Sequence, residues 1–137
     1  MAEVFGSITA SIPQSNAIAT DIVKFTQDPV DAGDTLIAAL IITGSSTRTL
    51  YSVQIDASSS NVDVYLKLWF SASLPTLGTS GADMILRASA EKKVQYSFSS
   101  PGIVWVNNVY GAFTTSAAKA SVTGPSATVS AQILASA

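Results

Sequence analysis

Ser89-Ala90-Glu91-Lys92 has the S-x-x-K spacing that sets a serine hydroxyl beside a lysine amine in β-lactamase chemistry. That chemistry needs the serine at a helix start together with S-D-N and K-T-G motifs. Neither motif occurs, and the tetrapeptide falls between two predicted strands, so it reads as a turn. Asp28, Asp31 and Asp34, in D-P-V-D-A-G-D, could offer oxygens to Ca²⁺, a hard cation that takes several. Their spacing is not that of an EF-hand loop, and the plainer reading is a solvated acidic turn ahead of a buried strand. Asp56 and Asp63 are formally available as an acid–base pair of the glycosidase kind, but no sequence feature places a pocket around them. The chain contains no His, which removes the usual general base near neutral pH and any Ser-His-Asp triad. It contains no Cys, which removes disulfides, thiolate metal sites and a thiol nucleophile. No catalytic, cofactor-binding or metal-binding residues are expected.

The aromatic residues Tyr65, Trp69, Trp105 and Tyr110 can do a different kind of chemistry. Rings on a sheet face stack on sugars, fill a sandwich core or anchor a subunit contact, and the core and interface readings stand ahead of the sugar reading. Trp69 shares its predicted face with Asp63 and Lys67, so that face is not wholly core, and Trp69 is the preferred interface candidate.

These side chains must be positioned almost entirely by strands. Arg48 to Ala57 alternates, with Tyr51, Val53 and Ile55 directed to one face. Val62 to Ala72 alternates most clearly: Val62, Val64, Leu66, Leu68 and Phe70 oppose Asp63, Tyr65, Lys67 and Trp69. Strands are also expected at Asp83 to Ala88, Lys92 to Ser99, Ile103 to Val106, Val109 to Thr115 and Ala127 to Ala135. Asn107-Asn108 reads as a tight turn or bulge. Thr35 to Thr43 is continuously apolar at Leu36 to Ile42, the pattern of a strand covered on both faces. One or two helical turns are expected at Ala17 to Phe25, where Ile18, Ile22 and Phe25 fall at helical spacing before Asp28-Pro29.

The 137 residues have room for one domain. Seven or eight antiparallel strands with turn signals between them predict an all-β sandwich, jelly-roll or immunoglobulin-like. Residues 1–34 are the least strand-like, and read as a first strand plus a long loop or as an extended arm to a neighbouring subunit.

The net charge is −2 and 12% of residues are charged, about half the share in an average soluble domain. Seven scattered basic residues offer no patch for phosphate neutralisation, so no nucleic-acid partner is expected. About a quarter of the residues are Ser or Thr, and mean hydropathy is positive. Hydroxyls cost far less to desolvate than charges, which suits a surface that packs against other proteins. No signal-peptide pattern opens the chain, and its longest apolar run is far short of a membrane span. Synthesis in a cytoplasm, with no membrane partner, is therefore expected.

The stretch from Val64 to Leu86, V-Y-L-K-L-W-F-S-A-S-L-P-T-L-G-T-S-G-A-D-M-I-L, resembles a strand–loop–strand of small β-sandwich virion proteins of tailed bacteriophages. Gly102-Ile103-Val104-Trp105 and Val109-Tyr110-Gly111-Ala112-Phe113-Thr114-Thr115 resemble the segments that follow it. The similarity spans roughly Tyr51 to Ser116 and leaves Met1 to Gly44 outside. The resemblance implies a capsid decoration (cement) protein without catalytic residues, made in the host cytoplasm. Copies, expected as homotrimers, would sit on the capsid surface of the virion and hold the major capsid protein through protein–protein contacts. A tail, baseplate or fibre component and a carbohydrate-binding adhesin are the alternatives. The N-terminal segment and the Ser73 to Ala82 loop are the expected contact elements, with Phe5, Tyr65, Trp69, Leu74, Leu77 and Trp105 as interface residues.

Overall fold

The computed structural model describes residues 20–31, 34–44, 47–99 and 102–136. Among them are nine strands and no helix: β1 (Thr20–Gln27), β2 (Ala39–Ile42), β3 (Arg48–Asp56), β4 (Val64–Ser71), β5 (Met84–Ala88), β6 (Lys93–Ser97), β7 (Ile103–Trp105), β8 (Asn108–Thr114) and β9 (Val129–Ser136). They form two antiparallel sheets. Sheet I has the order β1-β9-β3-β6, with β7 continuing along the same edge of β3 as β6. Sheet II has the order β2-β8-β4-β5. Leu50, Val53, Ile55 and Ile133 of sheet I pack against Leu66, Leu68 and Phe113 of sheet II, which makes the protein an all-β sandwich.

From Thr20 on, where the described residues begin, the expected helix at Ala17 to Phe25 is a strand, β1. Val23, Phe25 and Gln27 turn inward at every second residue, while Ile22, Lys24 and Thr26 face solvent. Pairing with β9 decides the issue, because Phe25 then stacks on Phe113 with ring centroids 5.6 Å apart. Ile18 lies outside the described residues.

β3 departs from simple alternation. Leu134 of β9 faces Ser52 and its successor Ala135 faces Leu50, so Tyr51 is the extra residue of a bulge. Leu50 therefore takes the core position expected for Tyr51, and Val53 and Ile55 resume below the bulge. Thr35 to Thr43 is also different from its pattern: only Ala39–Ile42 pairs, at the edge of sheet II, and Ile37 and Leu40 stand exposed.

Chain crossings between the sheets are held by local hydrogen bonds. The Ala57–Ser60 turn after β3 and the Ser89–Lys92 turn before β6 lie side by side, with the Glu91 N–H close to both Ala57 O and Ser60 O. At Asn107-Asn108, expected as a tight turn or bulge, the chain bends: Asn107, with a φ of 79°, carries it from β7 in sheet I to β8 in sheet II. Asn tolerates this left-handed backbone better than most residues.

Candidate functional site

The outer face of sheet II is built by alternation on β4 and β8. Tyr65, Lys67 and Trp69 point away from the main core, opposite Thr114, Ala112 and Tyr110 respectively. Two loops fold back over this face, the one between β4 and β5 and the one between β8 and β9. Trp69, Tyr110, Ala112 and Ala38 form a second small core there, closed by Leu77 and Ala82. Trp69 Nε1 donates to Ser80 O at 3.3 Å, which ties the first loop down. Gly78 brings the two loops together: its φ is 87°, and a Cβ there would sit 2.9 Å from Val122 Cγ1.

Lys67 is the most unusual residue of the face. It is buried, and its ammonium donates to Ala118 O at 2.7 Å and to Ser121 O at 3.5 Å. Desolvation holds its pKa below the ordinary lysine value. Backbone carbonyls, which are otherwise surplus acceptors in an irregular loop, replace the water that the charge has lost. The side chain thus acts as a clasp on the β8–β9 loop. Alternation alone puts Lys67 on the outer face of β4, and its burial comes from the loop that closes over that face.

At the rim of the face the two loops and the segment leading to β2 enclose an open apolar groove of about 260 Å³, lined by Ile37, Leu74, Pro75, Leu77 and Val122 among others. Leu74 and Leu77 were expected at an interface, and the structure brings them together here: Leu74 is exposed and Leu77 half-buried. Ile37 and Val122 escaped sequence reasoning, because nothing local says that residues from three distant segments converge.

The other expected interface residues lie elsewhere. Trp69 is 4% exposed and closed under its loop; Trp105 is also 4% exposed and belongs to the main core. The Trp105 ring stacks on Phe70 at 5.6 Å, with the Arg48 guanidinium over it at 6.0 Å. Both indoles are therefore spent inside the chain and form no sugar platform. Tyr65 is half-buried on the outer face of sheet II, and Phe5 lies outside the described residues.

The carboxylates do not converge. Asp28 accepts from Thr128 Oγ1 at 3.1 Å, while Asp31 and Asp34 line a separate open groove of about 390 Å³ with Leu36, Val122 and Pro125. Among the described residues, no group of three or more His, Cys, Asp or Glu side chains is placed to hold an ion. Asp56 is held below its ordinary pKa by hydrogen bonds from Ser58, and Asp63 by the Arg87 guanidinium and the Ala90 N–H. A general acid needs the opposite shift. Ser89 and Lys92 are the ends of a backbone turn, Lys92 N–H donating to Ser89 O at 3.2 Å.

No protein-family model matches the chain, and no curated protein sequence matches it.

Proposed function

We propose that this protein is a non-enzymatic virion structural protein of the capsid-decoration type, which associates with copies of itself and with the major capsid protein on the phage head. The observation that carries the reading is the exposed apolar rim of sheet II. Ile37, Leu40, Leu74 and Val122 stand in solvent on a chain that is otherwise poor in charge. Apolar surface concentrated in this way marks contact sites. Covering such half-exposed side chains contributes roughly 1–2 kcal/mol each. That is modest for one copy, and symmetric repetition on a shell multiplies it through avidity. The resemblance of the Val64 to Leu86 stretch to phage virion proteins supplies the particle. The separate engagement of Asp56 and Asp63 and the lack of His support the absence of catalysis.

The test is co-sedimentation of the purified protein with head shells assembled without it, alongside its mass by light scattering. A trimer or larger oligomer that binds the shells is the expected outcome. A monomer that stays in the supernatant would overturn the reading.

A further inference from the structure

Exposed apolar side chains gather at two places on opposite sides of the sandwich. One is the groove at the rim of sheet II, where Ile37 is 62%, Leu74 55% and Val122 47% exposed. The other is on β1 in sheet I. Its Ile22, at 72%, is the most exposed large apolar residue among those described. Ile22 pairs with Leu134, half-buried on the same outer face, and Ser52, Gln54, Gln95 and Gln132 surround the two. Lys24, two residues along β1 and exposed, faces the same way.

The groove carries the charge that complements Lys24. Leu36 and Val122 line both this groove and the one of Asp31 and Asp34, so the two adjoin. The Asp34 N–H donates to Asp31 O at 3.0 Å, a turn that keeps both aspartates at one end. Among the described residues, no Lys or Arg lines either groove. The spacings agree as well. Ile22 and Lys24 are roughly 7 Å apart along a strand, and Asp34 to Ile37 spans at most about 10 Å. The flexible four-carbon stem of lysine covers the difference. One chain cannot bring its own Ile22 to its own groove, because the body of the sandwich lies between them.

We infer that β1 of one copy docks in the rim groove of the next, Ile22 entering among Ile37, Leu74 and Val122 while Lys24 meets Asp31 and Asp34. The inference rests on the proposed function, in which copies associate, and names the two surfaces that meet. Burial of the apolar centre supplies the attraction, and the charges at its margin fix the register. The two surfaces are different, so the contact is heterologous, and its repetition closes a ring when the rotation between copies allows. The expected homotrimer is one such ring.

Light scattering on the full chain and on two full-length variants, Ile22→Asp and Leu74→Asp, tests this contact. The parent should be an oligomer, and each variant a monomer that still shows a cooperative urea transition. Mixed together, the two monomers should form a one-to-one dimer, because each keeps the surface that the other has lost. A contact through one self-complementary patch would leave that mixture monomeric. Lys24→Asp should weaken the parent's association several-fold, and Asp31→Lys/Asp34→Lys added to the same chain should restore it. A monomeric parent, an unchanged mass with Ile22→Asp, or a mixture that stays monomeric overturns the inference. Shell binding is read separately. Oligomers without shell affinity would leave the contact standing and remove the decoration reading, and a monomeric parent that binds shells would do the reverse.

Discussion

Gln27 and Phe113 exchange two hydrogen bonds across the sandwich. Gln27 Nε2 donates to Phe113 O at 2.8 Å, and the Phe113 N–H donates to Gln27 Oε1 at 2.8 Å. The side-chain amide of the last residue of β1 in sheet I thereby stands in for a strand neighbour of β8 in sheet II. It is needed because β2 pairs with β8 only from Val109 to Gly111 and leaves the rest of that edge open. A primary amide carries a donor and an acceptor side by side, as a backbone strand neighbour does.

Gln27→Glu should therefore destabilise the fold by about 2–3 kcal/mol at neutral pH, since a buried carboxylate cannot donate to Phe113 O. The loss should shrink in acid, where the protonated carboxyl regains a donor. Urea midpoints at pH 7 and pH 4 check both statements; equal midpoints for the two proteins at pH 7 would show the amide N–H to be dispensable.

Lys67 gives a prediction in the alkaline range. Its folded pKa lies below the ordinary 10.5, so between those two values the unfolded chain binds more protons than the folded one. Stability should then rise as pH climbs through the folded pKa toward 10.5. Lys67→Met should lack that rise when the two proteins are compared over the same range. It should also release the loop: amide exchange over 116–123 should quicken by about 10- to 100-fold, the loss of a charged hydrogen bond worth about 1.5–3 kcal/mol.

The acid range is governed by carboxylates with the opposite sign. Asp63 accepts Arg87 Nη2 at 2.6 Å and the Ala90 N–H at 2.9 Å, and both partners lower its pKa. Asp56 is lowered by Ser58 and, to a smaller extent, by Lys93 and Lys24. Each contributes stability that is present above the ordinary carboxylate pKa of 3.8 and is lost as pH falls through the lowered value. The Asp56→Asn/Asp63→Asn double variant should thus show a shallower fall in urea midpoint between pH 5 and pH 2, on the order of those limits in acid denaturation, than the parent protein.

The two indoles should behave as packing residues. Trp105→Ala is expected to cost about 3–5 kcal/mol, as for large aromatic truncations in a core. Trp69→Ala should cost less, since the small core around it is closed by loops, and should expose the loop between β4 and β5 to proteolysis. Calorimetry on both variants checks the order; a Trp105→Ala protein with an unchanged melting temperature would contradict its place beside Phe70.

Much of this architecture was legible because period-two alternation is a local property. Val64, Leu66 and Leu68 face the core as their spacing requires, as do Val53 and Ile55, and the turn residues at Ser58-Ser59 and Asn107 fall where the chain reverses or changes sheets. The absence of His and Cys likewise needed no structure. Leu74 and Leu77, expected at an interface, both line the groove at the rim of sheet II.

What only the tertiary structure decided involves partners far away in the chain. Ile22 and Phe25 have helical spacing by coincidence, and β9, some hundred residues later, makes Thr20–Gln27 a strand. Tyr51 loses its core position to Leu50 because β9 sets the register. Lys67 looked solvent-facing until a loop 51 residues away covered it, and Gln27 found its acceptor 86 residues on. Side-chain direction follows from the backbone of a few neighbouring residues, whereas burial depends on which distant surface closes over them. The first is written in the order of the amino acids, and the second exists only once the two sheets have packed.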